Sequence, residues 1–118
     1  MKTLVSLMLA CAMPLVSTSM AAEPDTAQML APTGRLRAAI NFGNPVSAER
    51  DTATEQPHGV SAELGRELGR RLGVPVQFLT CGEAGLVVAA ARQDVWDVAF
   101  LAVDPTRGKT IEFTSPSY

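Results

Sequence analysis

The chain has few of the residues that build metal centres, disulfide frameworks and nucleic-acid surfaces. Its 118 residues include two cysteines and one histidine, too few for a Cys/His metal cluster. Acidic residues outnumber basic ones by 12 to 10, and the basic ones are not clustered as a nucleic-acid surface requires. No serine and acid are spaced around His58 as a hydrolase triad needs. We therefore predict no cofactor, no metal and no nucleic-acid partner.

The longest apolar run lies at the amino terminus and is too short to cross a membrane. Lys2 precedes an apolar stretch over residues 4–16, and mostly small residues follow it. A basic start, an apolar run of about 7–15 residues and a small-residue exit are typical of a cleavable export signal, whereas a membrane span needs about 20 residues. We predict a signal peptide over residues 1–21, cleaved after Ala21, with export to the periplasm and no stable membrane insertion after cleavage. A lipoprotein anchor at Cys11 is the less favoured alternative, because the apolar run continues past it.

Cleavage at that position leaves Cys81 as the single cysteine of the mature chain, so no internal disulfide is predicted. The favoured interpretation of Cys81 is a small, partly buried apolar residue. The alternative is a free thiol or an intermolecular partner.

Strand and helix patterns alternate along the mature chain after a flexible leader predicted over residues 22–34. The predicted strands are 35–41, 74–79, 97–103 and 111–113, the predicted helices are 60–72 and 84–93, and a further helical turn opens at Asp104. Residues 97–103 form a continuous apolar run, which is typical of a strand buried on both faces. This alternation predicts an α/β fold with a mostly parallel sheet and helices on both faces.

The clearest helical pattern is an apolar residue at every fourth position from Val60 to Leu72. Ser61 is the predicted N-cap, and Gly73 is the predicted C-terminal stop. Gly65 and Gly69 either allow close packing on a sheet or only weaken the helix, by about 1 kcal/mol each relative to alanine.

Ligands bind open α/β sheets beyond the carboxyl ends of the strands. In this chain those ends are residues 41–45, 80–83 and 101–104. Directly after the third end, Asp104 and Pro105 open a helical turn that carries Arg107, whose planar guanidinium can bind a carboxylate through two hydrogen bonds. The alternative for Arg107 is a surface arginine paired with Asp104 or Glu112.

Four segments in this order resemble one family. They are residues 36–41, 59–68, 96–100 and 104–118. The set resembles the periplasmic solute-binding proteins of ABC transporters for polar amino acids, which have the type 2 periplasmic-binding fold. The resemblance covers nearly all of residues 34–118 and implies the first part of a two-lobed receptor. Such a receptor has no enzymatic activity, binds an amino-acid-like ligand and delivers it to an inner-membrane ABC permease.

The resemblance also implies a set of ligand-binding residues. Arg107 occupies the position that binds the ligand α-carboxylate, and Asn41 and the loop after it, including Phe42, line the pocket. Backbone groups near Phe100, Leu101 and Ala102 hold the α-amino and α-carboxylate groups, and Asp104 caps the helical turn. The implied ligand-binding residues are Asn41, Phe42, Leu101, Ala102, Asp104 and Arg107.

This sequence departs from the family pattern at two of its pocket positions. Ala102 stands where many members have a hydroxyl that contacts the carboxylate, so only its backbone N–H remains. The stacking aromatic residue usually found near Asn44 is absent, and Phe42 either substitutes for it or serves only in packing. Glu83 is a further candidate for the pocket, but the favoured interpretation is a solvated carboxylate at a helix start.

The chain is shorter than the family members that it resembles. It stops at Tyr118, where the resemblance places the crossover to a second lobe, so we expect a truncated first lobe with weak or no ligand binding alone. A periplasmic cyclohexadienyl dehydratase, which shares the two-lobed fold, is the enzymatic alternative, although no acid for that reaction stands out in the sequence. The sensor domain of a membrane receptor is a third interpretation.

Overall fold

The structure, a computed structural model, describes residues 24–115 together with Leu15. The predicted signal peptide, 1–21, lies outside the described residues except for Leu15, so its cleavage stays a prediction. Within the described part of the chain, every helix is too short or too polar to span a bilayer.

The described elements alternate between strands and helices after a short amino-terminal helix. In chain order they are α1 (Pro24–Leu30), β1 (Leu36–Asn41), β2 (Glu49–Arg50), β3 (Pro57–His58), α2 (Val60–Leu72), β4 (Val76–Cys81), α3 (Ala84–Ala90) and β5 (Val98–Ala99). Single 3-10 turns follow α3 at Ala91–Gln93 and β5 at Arg107–Lys109.

The main sheet is parallel and has the strand order β4-β1-β5. The chain moves one way from β1 to β4 and then back past β1 to β5, so right-handed crossovers place α2 and α3 on opposite faces. Ala38 and Ala39 point to opposite faces of β1, and both are buried. The predicted α/β class, with a parallel sheet covered on both faces, is confirmed.

Helix α2 packs on the sheet through its smallest residues. A Cβ at Gly65 would lie 3.2 Å from Phe78 Cε1 and 3.5 Å from Ala38 Cβ, and a Cβ at Gly69 would overlap Val76 Cγ2. The two glycines therefore allow the helix backbone to approach β1 and β4 closely, which is the first of the two alternatives left open by the sequence.

The predicted apolar face of α2 is buried only in its second half, where Leu72 is buried and Leu68 packs against the apolar cluster. Val60 and Leu64 are 57% and 40% exposed, whereas Ser61, Ala62 and the two glycines are buried. The four-residue spacing predicted the helix and the burial near its carboxyl end, but not the exposure of its first turns, where close approach to the sheet favours the small side chains over the large ones. Gly59, not Ser61, is the N-cap, while Gly73 ends the helix in the left-handed conformation as predicted.

The predicted flexible leader, 22–34, contains helix α1 in the structure. Ala27, Leu30 and Ala31 pack with Leu36 and Leu72 in an apolar cluster. Covering this cluster removes apolar surface from water, which accounts for a helix that the weak sequence periodicity did not predict.

The carboxy-terminal part contains less strand than the sequence predicts. The expected strand 97–103 is reduced to Val98–Ala99, and residues 111–113, predicted as a strand, form none. Helix 84–93 is observed as α3 followed by a 3-10 turn, and the strand predicted at 74–79 is observed two residues later, at Val76–Cys81. The apolar run after β5 has no further strand to pair with in the described residues, and Val103 is 63% exposed.

A polar clamp holds β5 against β1. The Arg37 guanidinium donates to both Asp97 carboxylate oxygens, at 3.2 Å from Nε and 2.8 Å from Nη2. The backbones of the same two residues add a bond from Asp97 N to the Arg37 carbonyl, and Arg37 N donates to Asp97 Oδ2. The Asp97 and Asp94 side chains together raise the pKa of the Arg37 guanidinium above its usual value, which keeps that guanidinium charged.

Candidate functional site

A cavity of about 280 Å³ opens at the carboxyl ends of the three parallel strands. Its walls come from the loop after β1, from residues 83–84 after β4, and from residues 100–102 with Arg107 after β5. Four of the six predicted site residues line it: Asn41, Leu101, Ala102 and Arg107. Topology alone predicted this edge of the sheet, and the structure brings the three strand ends together there.

The wall after β1 is fixed by a close contact between two loops. The Asn41 side chain accepts a hydrogen bond at 2.8 Å from the backbone N–H of Gly43. A Cβ at Gly43 would lie 2.9 Å from the Gly82 carbonyl oxygen and 3.1 Å from Glu83 Cα. Only glycine fits between these loops without a shift, so Gly43 holds the loops after β1 and β4 against each other.

The opposite wall is shaped by the turn that Asp104 caps. Asp104 Oδ1 accepts hydrogen bonds from the backbone N–H groups of Thr106 at 2.8 Å and Arg107 at 3.1 Å. The N–H groups of Arg107 and Thr106 lower the pKa of Asp104, so its carboxylate is charged at neutral pH. Asp104 does not line the cavity; it fixes the backbone that carries Arg107.

Arg107 reaches from this turn back toward the end of β5. Its Nη1 donates to the Ala102 carbonyl at 3.0 Å. Within residues 24–115 the ion pairs belong to other arginines, so neither Asp104 nor Glu112 forms a salt bridge with Arg107. The guanidinium has five N–H donors, and most of them stay available to a ligand in the cavity.

Phe42 lies away from the cavity wall. The Arg50 guanidinium carbon lies 4.9 Å from the centroid of its ring, a distance typical of a cation–π interaction. The backbone N–H of Phe42 donates to the Cys81 carbonyl at 2.8 Å and extends the β1–β4 ladder. One face of the ring is thus covered by Arg50, and Phe42 joins the loop after β1 to the β2–β3 hairpin.

The cavity also includes residues that sequence reasoning did not place there. Glu83, favoured as a solvated carboxylate, is exposed as expected and also lines the cavity beside Ala84. The sequence signal that could have placed Glu83 at the cavity is its position directly beyond the end of β4. Cys81 is half-buried at the same strand end, and burial raises the pKa of its thiol, in keeping with its interpretation as a small, partly buried residue.

A larger, open groove of about 640 Å³ runs along α2. Val60 and Leu64 line it together with arginines and glutamates of the same helix that pair with each other. Such pairs leave no charged group free to orient a ligand, so the smaller cavity is the better candidate site.

No protein-family model matches the chain, and no curated protein does so significantly. Solved structures do match it. A variant of an ancestral cyclohexadienyl dehydratase aligns with a TM-score of 0.67 at 22% identity over 78% of this chain. A mutant of the arginine-bound form of domain 1 from TmArgBP aligns with a TM-score of 0.66 at 18% identity over 78% of this chain.

A third structure is an ancestral amino-acid-binding protein described as a precursor of cyclohexadienyl dehydratase, with a TM-score of 0.65 at 24% identity over 77% of this chain. The chain has the fold of the first lobe of a type 2 periplasmic-binding protein. It spans 38% and 40% of the two ancestral proteins and 71% of the TmArgBP domain. At these identities the likeness shows the fold alone, and the neighbours include both binding proteins and a dehydratase.

Proposed function

We propose that this chain is the first lobe of an extracytoplasmic solute-binding protein that binds a small amino-acid-like ligand for an ABC importer. The observation that carries the proposal is the cavity in which Asn41, Leu101, Ala102 and Arg107 meet at the carboxyl edge of the sheet. A single strong carboxylate binder, polar backbone groups and a small volume suit a ligand of amino-acid size.

Each part of the cavity has a role in this proposal. The Arg107 guanidinium binds the ligand carboxylate through paired, charge-assisted hydrogen bonds. The backbone at Leu101 and Ala102 adds polar contacts where other members use a hydroxyl. Asn41 contacts the ligand from the opposite wall, and Asp104 acts indirectly by holding the turn that presents Arg107.

A single lobe supplies only part of the contacts that a closed two-lobed receptor makes. The TmArgBP structure is nevertheless described as an arginine-bound domain 1, which favours some binding by one lobe. We therefore expect weak but measurable binding by this chain, with a Kd of about 0.1–1 mM, equivalent to about 4–5.5 kcal/mol.

The test is isothermal titration of the mature chain with a panel of amino acids and their carboxamides. Arg107→Ala should weaken binding of the amino acid by about tenfold or more and leave binding of the carboxamide nearly unchanged, because the amide lacks the charged carboxylate. Arg92→Ala, at an exposed arginine outside the cavity, is the matched control. Equal binding of acids and amides by both variants and the parent chain would contradict the proposal.

A dehydratase of the cyclohexadienyl type is the second candidate, because one structural neighbour is described as an ancestral enzyme of that kind. Glu83 is the carboxyl group on the described cavity wall that could transfer a proton. Incubation with prephenate separates the two functions: formation of phenylpyruvate that Glu83→Gln abolishes would favour the enzyme, and no turnover favours the binding protein.

A further inference from the structure

The β2–β3 hairpin forms a separate two-stranded sheet, and its base is fixed to the start of α2. Arg66 Nη2 donates a hydrogen bond of 2.7 Å to the carbonyl of Pro57, and the Arg66 guanidinium carbon lies 5.0 Å from the centroid of the Phe78 ring on β4. The backbone N–H of Ser61 donates to the Ser47 carbonyl at 3.0 Å, just before the hairpin. The base of the hairpin therefore keeps a fixed position relative to α2 and the sheet.

The same hairpin contacts the loop that forms the β1 wall of the cavity. The guanidinium of Arg50, on β2, covers one face of the Phe42 ring, and the residues on both sides of Phe42 in the chain line the cavity. Farther along the loop, the carbonyl of Asn44, another lining residue, accepts hydrogen bonds of 3.1 and 3.2 Å from the backbone N–H groups of residues 47 and 48. The hairpin is thus joined to this wall at two places.

Burial contributes little to the position of this loop, because residues 43–46 are exposed. On the inner side, the loop packs through Gly43 against the backbone of the loop after β4, and this close contact limits inward movement. On the outer side, the ring of Phe42 lies under the Arg50 guanidinium, and this contact is attractive. The contact between Phe42 and Arg50 therefore opposes outward movement of the wall.

We infer that Arg50 is a positioning residue of the cavity: through the Phe42 ring it holds the loop after β1 in the position in which Asn41 and Asn44 line the site. This inference rests on the proposed function. Arg50 itself does not line the cavity, so its effect on binding passes through the loop. The apparent Kd rises by the factor by which the population of the binding position falls. For a cation–π interaction at an exposed site, loss of the contact should raise Kd about two- to fivefold.

Titration of the mature chain with lysine and with glutamine, which have a charged and a neutral polar side chain, tests the inference. Arg50→Met removes the charge but keeps an unbranched side chain, and it should raise Kd for both amino acids about two- to fivefold. Arg50→Lys keeps a cation at the ring and should restore most of the affinity. In a Phe42→Leu chain, Arg50→Met should have no further effect, because the ring through which it acts is already absent.

A role of Arg50 limited to fold stability gives a different result. It would lower the urea midpoint of Arg50→Met without changing the Kd of the folded chain. If Arg50 positions the loop, two amide protons at the cavity wall should also exchange faster in Arg50→Met than in the parent chain. They are those of Phe42, which donates to the Cys81 carbonyl, and Gly43, which donates to the Asn41 side chain.

Arg92→Met is the matched control, because it removes the same charge from an exposed residue outside the cavity and the hairpin. Its Kd should equal that of the parent chain. An unchanged Kd in Arg50→Met, or an equal loss in the Phe42→Leu chain, would overturn the inference; the proposed function stands if Arg107→Ala still weakens binding. Binding of neither amino acid, or binding indifferent to Arg107→Ala, would overturn both.

Discussion

The two sides of the sheet are built differently. On one side, β1 and β4 pair over six positions, from Leu36 with Val76 to Asn41 with Cys81, and α2 packs over them through glycines. On the other side, β1 and β5 pair over only two positions. Among the described residues from Val98 to Ser115 none is fully buried.

Different forces hold the two sides together. Apolar burial stabilises the β1–β4 side, with Leu36 and Ile40 fully buried. The β5 side depends on polar contacts: the Arg37–Asp97 clamp, the Asp104 cap and the bond from Arg107 to the Ala102 carbonyl. The cavity spans both sides, so Asn41 and Glu83 lie on a firmly packed wall while Arg107 lies on a weakly packed one.

The largest effect on stability is expected from Gly69→Ala, on the β1–β4 side of the sheet. The added methyl group overlaps Val76 Cγ2, and overpacking costs about 1–3 kcal/mol. Alanine's better helix propensity offsets about 1 kcal/mol of this. We expect a net loss of up to about 2 kcal/mol in the free energy of unfolding, measured by urea denaturation.

Val76→Ala in the same chain is the matched control for that substitution. It removes the overlapping methyl group, so the double variant should recover part of the loss relative to the sum of the single changes. Purely additive losses would show that α2 does not approach β4 as closely as described.

Asp97→Asn, on the β5 side of the sheet, should have a smaller effect, confined to local stability. Asparagine keeps an oxygen that can accept from Arg37 N but loses the charge that pairs with the guanidinium. We expect faster amide hydrogen exchange in residues 97–107 and nearly unchanged exchange in β4 and α2. Asp94→Asn is the control, because its side chain is 94% exposed, and it should have little effect on exchange. If Asp97→Asn instead accelerates amide exchange uniformly along the chain, the two sides of the sheet unfold as one unit.

The sequence predicted features that depend on local pattern better than features that depend on packing between distant segments. The alternation β1-α2-β4-α3-β5, the carboxyl end of β1 at Asn41 and the stop at Gly73 were predictable from local pattern. The exposure of Val60 and Leu64 in the first turns of α2 was not, because their apolar spacing is a local signal while the close approach at Gly65 and Gly69 depends on the sheet beneath. Strand 97–103 was overpredicted, because an apolar run forms a strand only where a neighbour can pair with it.

In the candidate site, too, positions at strand ends were predictable, whereas a side-chain orientation set by a distant segment was not. Strand-end topology and the family resemblance placed Asn41, Leu101, Ala102 and Arg107 at one edge of the sheet, and these four residues line the cavity. Phe42 was expected at the pocket because it follows β1 directly. Which way its ring turns depends on Arg50 of the β2–β3 hairpin, a contact that no local pattern encodes.

The most direct test of the central claim is an amide NMR titration of the isotope-labelled mature chain with lysine. The account predicts that the largest saturable shifts fall on residues 41–44, 82–84 and 100–107, on both walls of the cavity. Shifts confined to the outer groove of α2, from Val60 to Arg70, or the absence of any saturable shift would contradict it.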